Sequence, residues 1–373
     1  MRNEPVIRVG IITDGLPEIE ITPRGYKIAN LLIGDGFHWQ KRTSALIKGN
    51  LLSLEKPQGN IHIINILPLE TYLASVIGSE MNPDAPCEFL KAHAIISRGW
   101  ALRKITHCND AEKSAVSFRS AGEIEIREWE ESDSHTGFDV CSDDHCQRYQ
   151  GHPANGHPVI ETAIKETRGM VLTDCSGKIA DTRFSKCCGG RTEIFSSCWN
   201  DLDFEYLISQ DDPWCDLSDM DKNGRDSFLS SILKDYDRDT DDFYDWETEI
   251  DSSEIKRRLK EKYGCDIGDI VELTPRTYGP SGRIIRLEIE GLSGKINIGK
   301  TLAIRRLLAA DCLKSSRFEI SKTDNKFKLK GHGWGHGAGL CQIGAARMAF
   351  EGKSYREILD FYYPTTQLTK LYD

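Results

Sequence analysis

LPLETYLASVIGSEMNPDAPCEFLKAHAIISRGWAL, residues 67–102, is the stretch from which the rest of the chain can be organised. Its small and apolar residues predict a short helix from Glu70 to Gly78. Asn82-Pro83-Asp84-Ala85-Pro86 then breaks the chain, because a proline inside a helix removes a hydrogen bond and clashes with the preceding turn. A second helix is expected over about residues 86–104, where Asp84 can cap the free amides, Pro86 suits the first turn, and Phe89, His93, Ile96 and Trp100 recur at helical spacing. Lys91, Arg98, Arg103 and Lys104 supply its polar positions.

Glu80 sits at the mouth of the loop between the two helices. One reading makes it a solvated loop glutamate, since charged side chains mostly face water. The other makes it a general acid whose pKa is raised by a cleft of low polarity. Glu88, on the first turn of the second helix, reads as a structural carboxylate favoured by the free amides there.

Upstream, Val6–Ile12 alternates as a strand does, and Gly25–Ile28 and Ile61–Leu67 add further β signals around a Gly34-Asp35-Gly36 turn. Residues 1–67 therefore read as a β-rich lead-in. Downstream, 68–210 reads as the first part of a catalytic core, 211–269 as an acidic accessory segment, 270–330 as a small mixed β module, and 331–373 as the returning part of the core. Between residues 201 and 250 there are 17 acidic and 4 basic residues, but Trp214, Tyr236, Phe243, Tyr244 and Trp246 argue against a bare disordered linker. Ser354-Tyr355-Arg356-Glu357 matches a capping box for a final helix through Tyr362, which Pro364 stops. The fold class expected is α+β.

The chain has 373 residues, 39% hydrophobic and 28% charged, with a formal charge of −10. It is too long for one simple core and too apolar for disorder. No sustained basic block tracks a phosphate backbone, so nucleic acid is not an expected partner. No apolar run approaches the length of a membrane span, and MRNEPVIRVGII lacks the pattern of a secretory signal.

Two further segments carry chemistry. His135, Cys141, His145 and Cys146 lie within twelve residues and can complete a tetrahedral zinc shell with no open position, which would make the metal structural. The intervals are not those of a common finger, so separate core thiols with surface histidines, or a disulfide, remain alternative readings. In the run GHGWGHGAG, residues 331–339, the glycines have no strand-to-helix context for binding phosphate. They permit close backbone approach, either to a ligand, with His332 and His336 bonding sugar hydroxyls and Trp334 offering an apolar platform, or simply within a tightly packed loop.

Taken together, the segments at 67–102, HTGFDVCSDDHCQRYQGH at 135–152, ETRGMVLTDCSGKIADTRFSKCCGGRTEIFSSCWN at 166–200 and GHGWGHGAGLCQIGAARMAFEGKSYREILDFYYP at 331–364 resemble the SpoIID/LytB family of bacterial cell-wall proteins. The resemblance implies a lytic transglycosylase that cleaves MurNAc–GlcNAc bonds of peptidoglycan glycan strands, especially denuded ones, with Glu80 as the catalytic acid. It implies zinc ligands at His135, Cys141, His145 and Cys146, and supporting or substrate-binding roles for Gln147, Tyr149, Gly190, Thr192, His332, Trp334 and His336, with Gly189 completing the glycine pair. Arg98-Gly99-Trp100 and Cys187-Cys188 depart from the family's usual pattern. A non-catalytic enhancer of a cell-wall amidase is the runner-up. A glycoside hydrolase is the third reading, its second carboxylate sought among Asp84, Asp139, Asp143 and Asp144. Either cell-wall role implies the bacterial envelope outside the cytoplasmic membrane, with a signal or anchor expected ahead of Met1.

Overall fold

The computed structural model describes residues 3–34, 40–58, 60–106, 115–120, 123–129, 135–144, 146–152, 156–233 and 244–373. The architecture is mixed α+β, as the sequence led one to expect. Five antiparallel strands open the chain: β1 (Val6–Thr22), β2 (Gly25–Ile33), β3 (Lys41–Ile47), β4 (Asn50–Gln58) and β5 (Ile61–Pro68), in the order β3-β2-β1-β5-β4. The alternation read at Val6–Ile12 buries Ile7, Val9 and Ile11, but the strand runs on to Thr22. Its pairing with β2 shifts register between Thr13 and Glu18, so Gly15-Leu16-Pro17 is absorbed as an irregularity within β1 and does not end it.

β5 feeds α1 (Leu69–Glu80), and α2 (Cys87–Thr106) follows the proline-broken loop. Both helices are buried on most faces, which explains why neither has a strong polar stripe. Arg98, expected at a polar position, is fully buried and meets both carboxylate oxygens of Glu70, at 2.9 Å and 2.7 Å. A buried guanidinium is tolerated because that bidentate pair is completed by the Met170 carbonyl on Arg98 and the Tyr372 hydroxyl on Glu70. Asp84 lies 3.1 Å from the His157 ring, a partner the sequence did not suggest.

The next elements are β6 (Ala115–Ser120), β7 (Glu123–Glu128), β8 (Val140–Cys141), α3 (Pro158–Glu166), β9 (Met170–Thr173), β10 (Phe184–Ser185), α4 (Phe195–Cys198) and α5 (Lys222–Leu233). The two-residue β8 adds to the first sheet parallel to β1, opposing Val9 with Val140 and Gly10 with Cys141. Then come β11 (Asp245–Asp251), α6 (Ser252–Tyr263), β12 (Ile270–Tyr278), β13 (Ile284–Gly291), β14 (Gly294–Gly299), α7 (Thr301–Leu308), β15 (Phe318–Thr323) and β16 (Lys326–His332). These build a second core, in which β7 crosses over to pair with β14 and extend the sheet to β12-β13-β14-β7-β6.

β17 (Leu340–Cys341), α8 (Gln342–Phe350), α9 (Tyr355–Tyr362) and β18 (Gln367–Lys370) return to the first core. There β17 pairs with β10 and β18 with β9. The capping box at Ser354 and Glu357 forms as the sequence predicts. The glycine run between β16 and β17 is shaped by alternate positive φ angles at Gly333, Gly335, Gly337 and Gly339, between 72° and 90°, which side chains rarely adopt.

Candidate active site and metal-ligand clusters

A cleft of about 350 Å³ lies where the two cores meet, and Glu80, Arg148, Lys186, Trp334, His336 and Gln342 are among its lining residues. Glu80 is the last residue of α1; the following Met81 is extended, so the acid stands at the end of a packed helix rather than on a free loop. The helix is stitched to the strand-like segment 148–152: Ser75 Oγ donates to the Gly151 carbonyl, Gln150 N–H donates to Ser79 Oγ, and Arg148 N–H donates to Glu80 Oε1 at 2.9 Å. Glu80 is only 8% exposed. Burial raises its pKa above the ordinary glutamate value, against the pull of the Arg148 guanidinium and with the push of Asp144. Its place at the negative end of α1 disfavours the carboxylate in the same direction.

Arg148 and Asp144 form an ion pair at 2.6 Å beside the acid, while the Lys186 ammonium donates to the backbone carbonyl of Glu80 at 3.1 Å. On the facing wall, His336 lines the cleft with its Nδ1 accepting the Ala338 N–H at 3.0 Å. Burial, helped by Arg183, lowers its pKa to about 3, so the ring is neutral and carries its proton on Nε2. Arg183 is held by Asp181 and stacks 4.3 Å from the Trp199 ring centroid, making a cationic and aromatic edge. His93, deep behind this wall, is also kept neutral by burial and then by Lys186, with a pKa of about 3, and sits 3.0 Å from Gln342 Nε2.

The residues singled out from sequence are not all at the cleft. Glu80, Trp334 and His336 line it, although Trp334 is 5% exposed and its backbone pairs with Cys187. Gln147 and Tyr149 lie buried behind it, Gln147 accepting from the Tyr72 hydroxyl and Tyr149 donating to Asn65. Gly190 and Thr192 do not line it; Thr192 Oγ1 donates to the Ile208 carbonyl and accepts the Gln210 N–H. His332 points outward from β16, 2.6 Å from Asp245. Of the four alternative carboxylates, Asp143 and Asp144 line the cleft, Asp139 accepts the Arg8 N–H, and Asp84 faces His157. Arg148, Lys186, Arg183 and Gln342 were not singled out from sequence.

Among the described residues, two groups of side chains gather metal-ligand atoms. In the first, His135, Cys141 and Cys146 bring theirs within 4.8 Å of one another, while His145 lies outside the described residues. His135 Nε2 is 3.3 Å from Cys146 Sγ, near the edge of about 3.5 Å expected in a tetrahedral zinc shell. The pairing of β8 with β1 sets Cys141, and Cys146 N–H donates to the Asp143 carbonyl to turn the loop back. These residues fit a zinc ion, with Cys146 also on the cleft wall. The second group, Cys188, Asp212, Cys215 and Cys341, is wholly buried.

Residues 57–173 match the family model described as stage II sporulation protein, and residues 193–339 match a domain of unknown function. The amidase enhancer of Bacillus subtilis is 25% identical over 327 residues, covering 80% of this chain and 40% of the relative. The stage II sporulation protein D of the same organism is 25% identical over 316 residues, covering 82% and 75%. The chain is thus similar, over a segment of family-model match and along most of its length, to members of the SpoIID/LytB family. An uncharacterized protein of Brachyspira hyodysenteriae is 27% identical over 301 residues, 81% of this chain and 66% of the relative. The chain spans less than two thirds of the Brachyspira relative and 40% of the amidase enhancer, and the stage II sporulation family model matches residues 57–173 of the chain. That match covers the acid and the first ligand group, whereas the facing wall of the cleft falls mostly beyond residue 173. Among the described residues no helix is long and apolar enough to cross a membrane.

Proposed function

We propose that this chain acts on the bacterial cell wall as a peptidoglycan lytic transglycosylase, with Glu80 as acid and then base. The observation that carries this reading is one buried carboxyl of raised pKa, fixed by the Arg148 amide at the edge of a cleft. Protonated Glu80 would give its proton to the glycosidic oxygen as the C1–O bond of N-acetylmuramic acid breaks. The resulting carboxylate would then take the proton of the C6 hydroxyl as that oxygen closes on C1, leaving a 1,6-anhydro end. No second carboxylate is required. The two others on the wall are already engaged, Asp144 by Arg148 and Asp143 by the Gly34 N–H, which disfavours the hydrolase reading. A structural zinc held by His135, Cys141, His145 and Cys146 would stiffen the loop that carries Arg148.

A preference for denuded strands would draw on the charge of the cleft. Its lining holds five basic side chains against three carboxylates, and a glycan without stem peptides exposes free lactyl carboxylates. Among the described residues none from the acidic stretch 201–250 lines the cleft. The second reading, an enhancer that recruits a cell-wall amidase, draws on the similarity to the Bacillus protein of that name. An extracytoplasmic location follows from either. Mass spectrometry of glycan treated with the wild type and Glu80→Gln separates them. Anhydromuramic ends that vanish in the variant support cleavage, whereas intact strands with a stimulated amidase overturn it in favour of the enhancer.

A further inference from the structure

Cys188, Asp212, Cys215 and Cys341 come from three distant segments, yet their ligand atoms all lie within 4.8 Å of one another and all four residues have no measurable exposure. Cys188 Sγ is 3.2 Å from Asp212 Oδ2. The tetrahedron of a zinc ion with thiolate and carboxylate ligands has edges of about 3.8 Å between sulfurs and about 3.5 Å between sulfur and oxygen, so the group needs only small adjustments to close on one ion. A four-iron cluster would interpose its own core and hold the thiols farther apart.

Asp212 is the decisive member. Among the described residues it has no lysine, arginine or histidine partner, and burying a carboxylate without a cation is costly. Yet the Tyr362 hydroxyl donates to Oδ2 at 2.8 Å, and the N–H groups of Trp214 and Cys215 donate to Oδ1, which orients it as outer-shell groups orient a metal ligand. Cys341 caps α8, its sulfur accepting N–H groups from Cys188 at 3.3 Å and Gly344 at 3.5 Å, which fixes the sulfur in the cluster. A side chain at Gly344 would come within 2.2 Å of the Tyr362 hydroxyl, so glycine is what lets α8 approach. A disulfide between Cys187 and Cys215, whose sulfurs are 3.5 Å apart, would leave Asp212 still without a counter-charge.

We propose that Cys188, Asp212, Cys215 and Cys341 bind a second, structural zinc ion behind the cleft. It ties the turn after Lys186 to the residue before Gln342, and both of those side chains line the cleft. The site does not depend on which cell-wall activity the cleft performs.

The test is zinc content of the full chain purified under reducing conditions, in a Cys141→Ser/Cys146→Ser background that removes the first group. One equivalent is expected, lost in Cys215→Ser and Asp212→Asn and kept in Cys187→Ser. Cobalt loading should give thiolate-to-metal bands that weaken in Cys341→Ser. Under half an equivalent in the folded background protein overturns the proposal, as does zinc unchanged by Cys215→Ser. Loss in Cys187→Ser with retention in Asp212→Asn overturns the ligand set. Where the background variant does not fold, the wild type decides: two equivalents support the second ion, and one or fewer overturn it.

Discussion

Arg148 touches the acid through its backbone and turns its charge elsewhere: its N–H donates to Glu80 Oε1 at 2.9 Å, while its guanidinium pairs with Asp144 at 2.6 Å. The carboxyl is positioned by a neutral amide, so its orientation is fixed without a cation bonded to it. Such a contact holds either protonation state in place, which a residue that gives and retakes a proton requires.

Glu80→Gln keeps the shape and the acceptor for the Arg148 amide while removing the exchangeable proton. Glycan cleavage should fall by about 10²–10⁴-fold, the usual contribution of a general acid. Thermal stability at neutral pH should hold or rise, because an amide carries no charge to bury. Anhydromuramic product counted by mass spectrometry, alongside a melting curve, checks both.

The pH profile follows from the raised pKa of Glu80. The acid is competent when protonated, so kcat/KM should fall as pH rises through its folded pKa, at a pH above the ordinary 4.5. Arg148 lowers this pKa and Asp144 raises it. Arg148→Met should therefore move the alkaline limb upward and Asp144→Asn downward. For stability the sign is the reverse of an ion-paired carboxylate: a raised pKa disfavours the fold above the unfolded value, so Glu80→Gln should gain most at neutral pH.

The Glu70–Arg98 pair behaves the other way. Burial alone would raise the Glu70 pKa, but Arg98 and the Tyr372 hydroxyl hold it below its usual value. Its stabilising contribution is present above pH 4.5 and is lost as pH falls through the lowered folded value. Arg98→Met leaves a buried carboxylate without its cation and should cost about 3–5 kcal/mol in urea unfolding at neutral pH. That deficit should narrow in acid.

Removing the first zinc ligand set should loosen the segment that carries the Arg148 amide. Cys146→Ser is expected to lose one zinc equivalent and to speed hydrogen exchange over residues 147–152, with catalysis reduced through misplacement of Glu80. Unchanged exchange there would separate the metal from the acid.

The helices around Glu80 and the capping box at Ser354 were legible because local pattern sets them. Two aspects of the site were not. The cationic wall of Arg148, Arg183 and Lys186 is assembled from separate segments, and nothing in their local sequence distinguishes them from surface charges. His332 and His336 look equivalent in the glycine run, yet His332 still belongs to β16, whose alternation turns it toward Asp245, while His336 lies beyond the strand and against Trp199. Thr192 reads as a ligand-facing hydroxyl, but its oxygen bonds backbone groups at residues 208 and 210.

His93 and Gln342 hydrogen-bond across 249 residues of sequence, joining the helix behind the acid to the facing wall. During synthesis, the half that holds Glu80 leaves the ribosome long before its counterpart exists. A nascent chain that ends before this contact therefore carries the acid without an enclosed groove, so the cleft can close only after Gln342 has been made. Closing so distant a contact is also entropically slow, so the gain of competence should trail the appearance of helical structure in a refolding experiment.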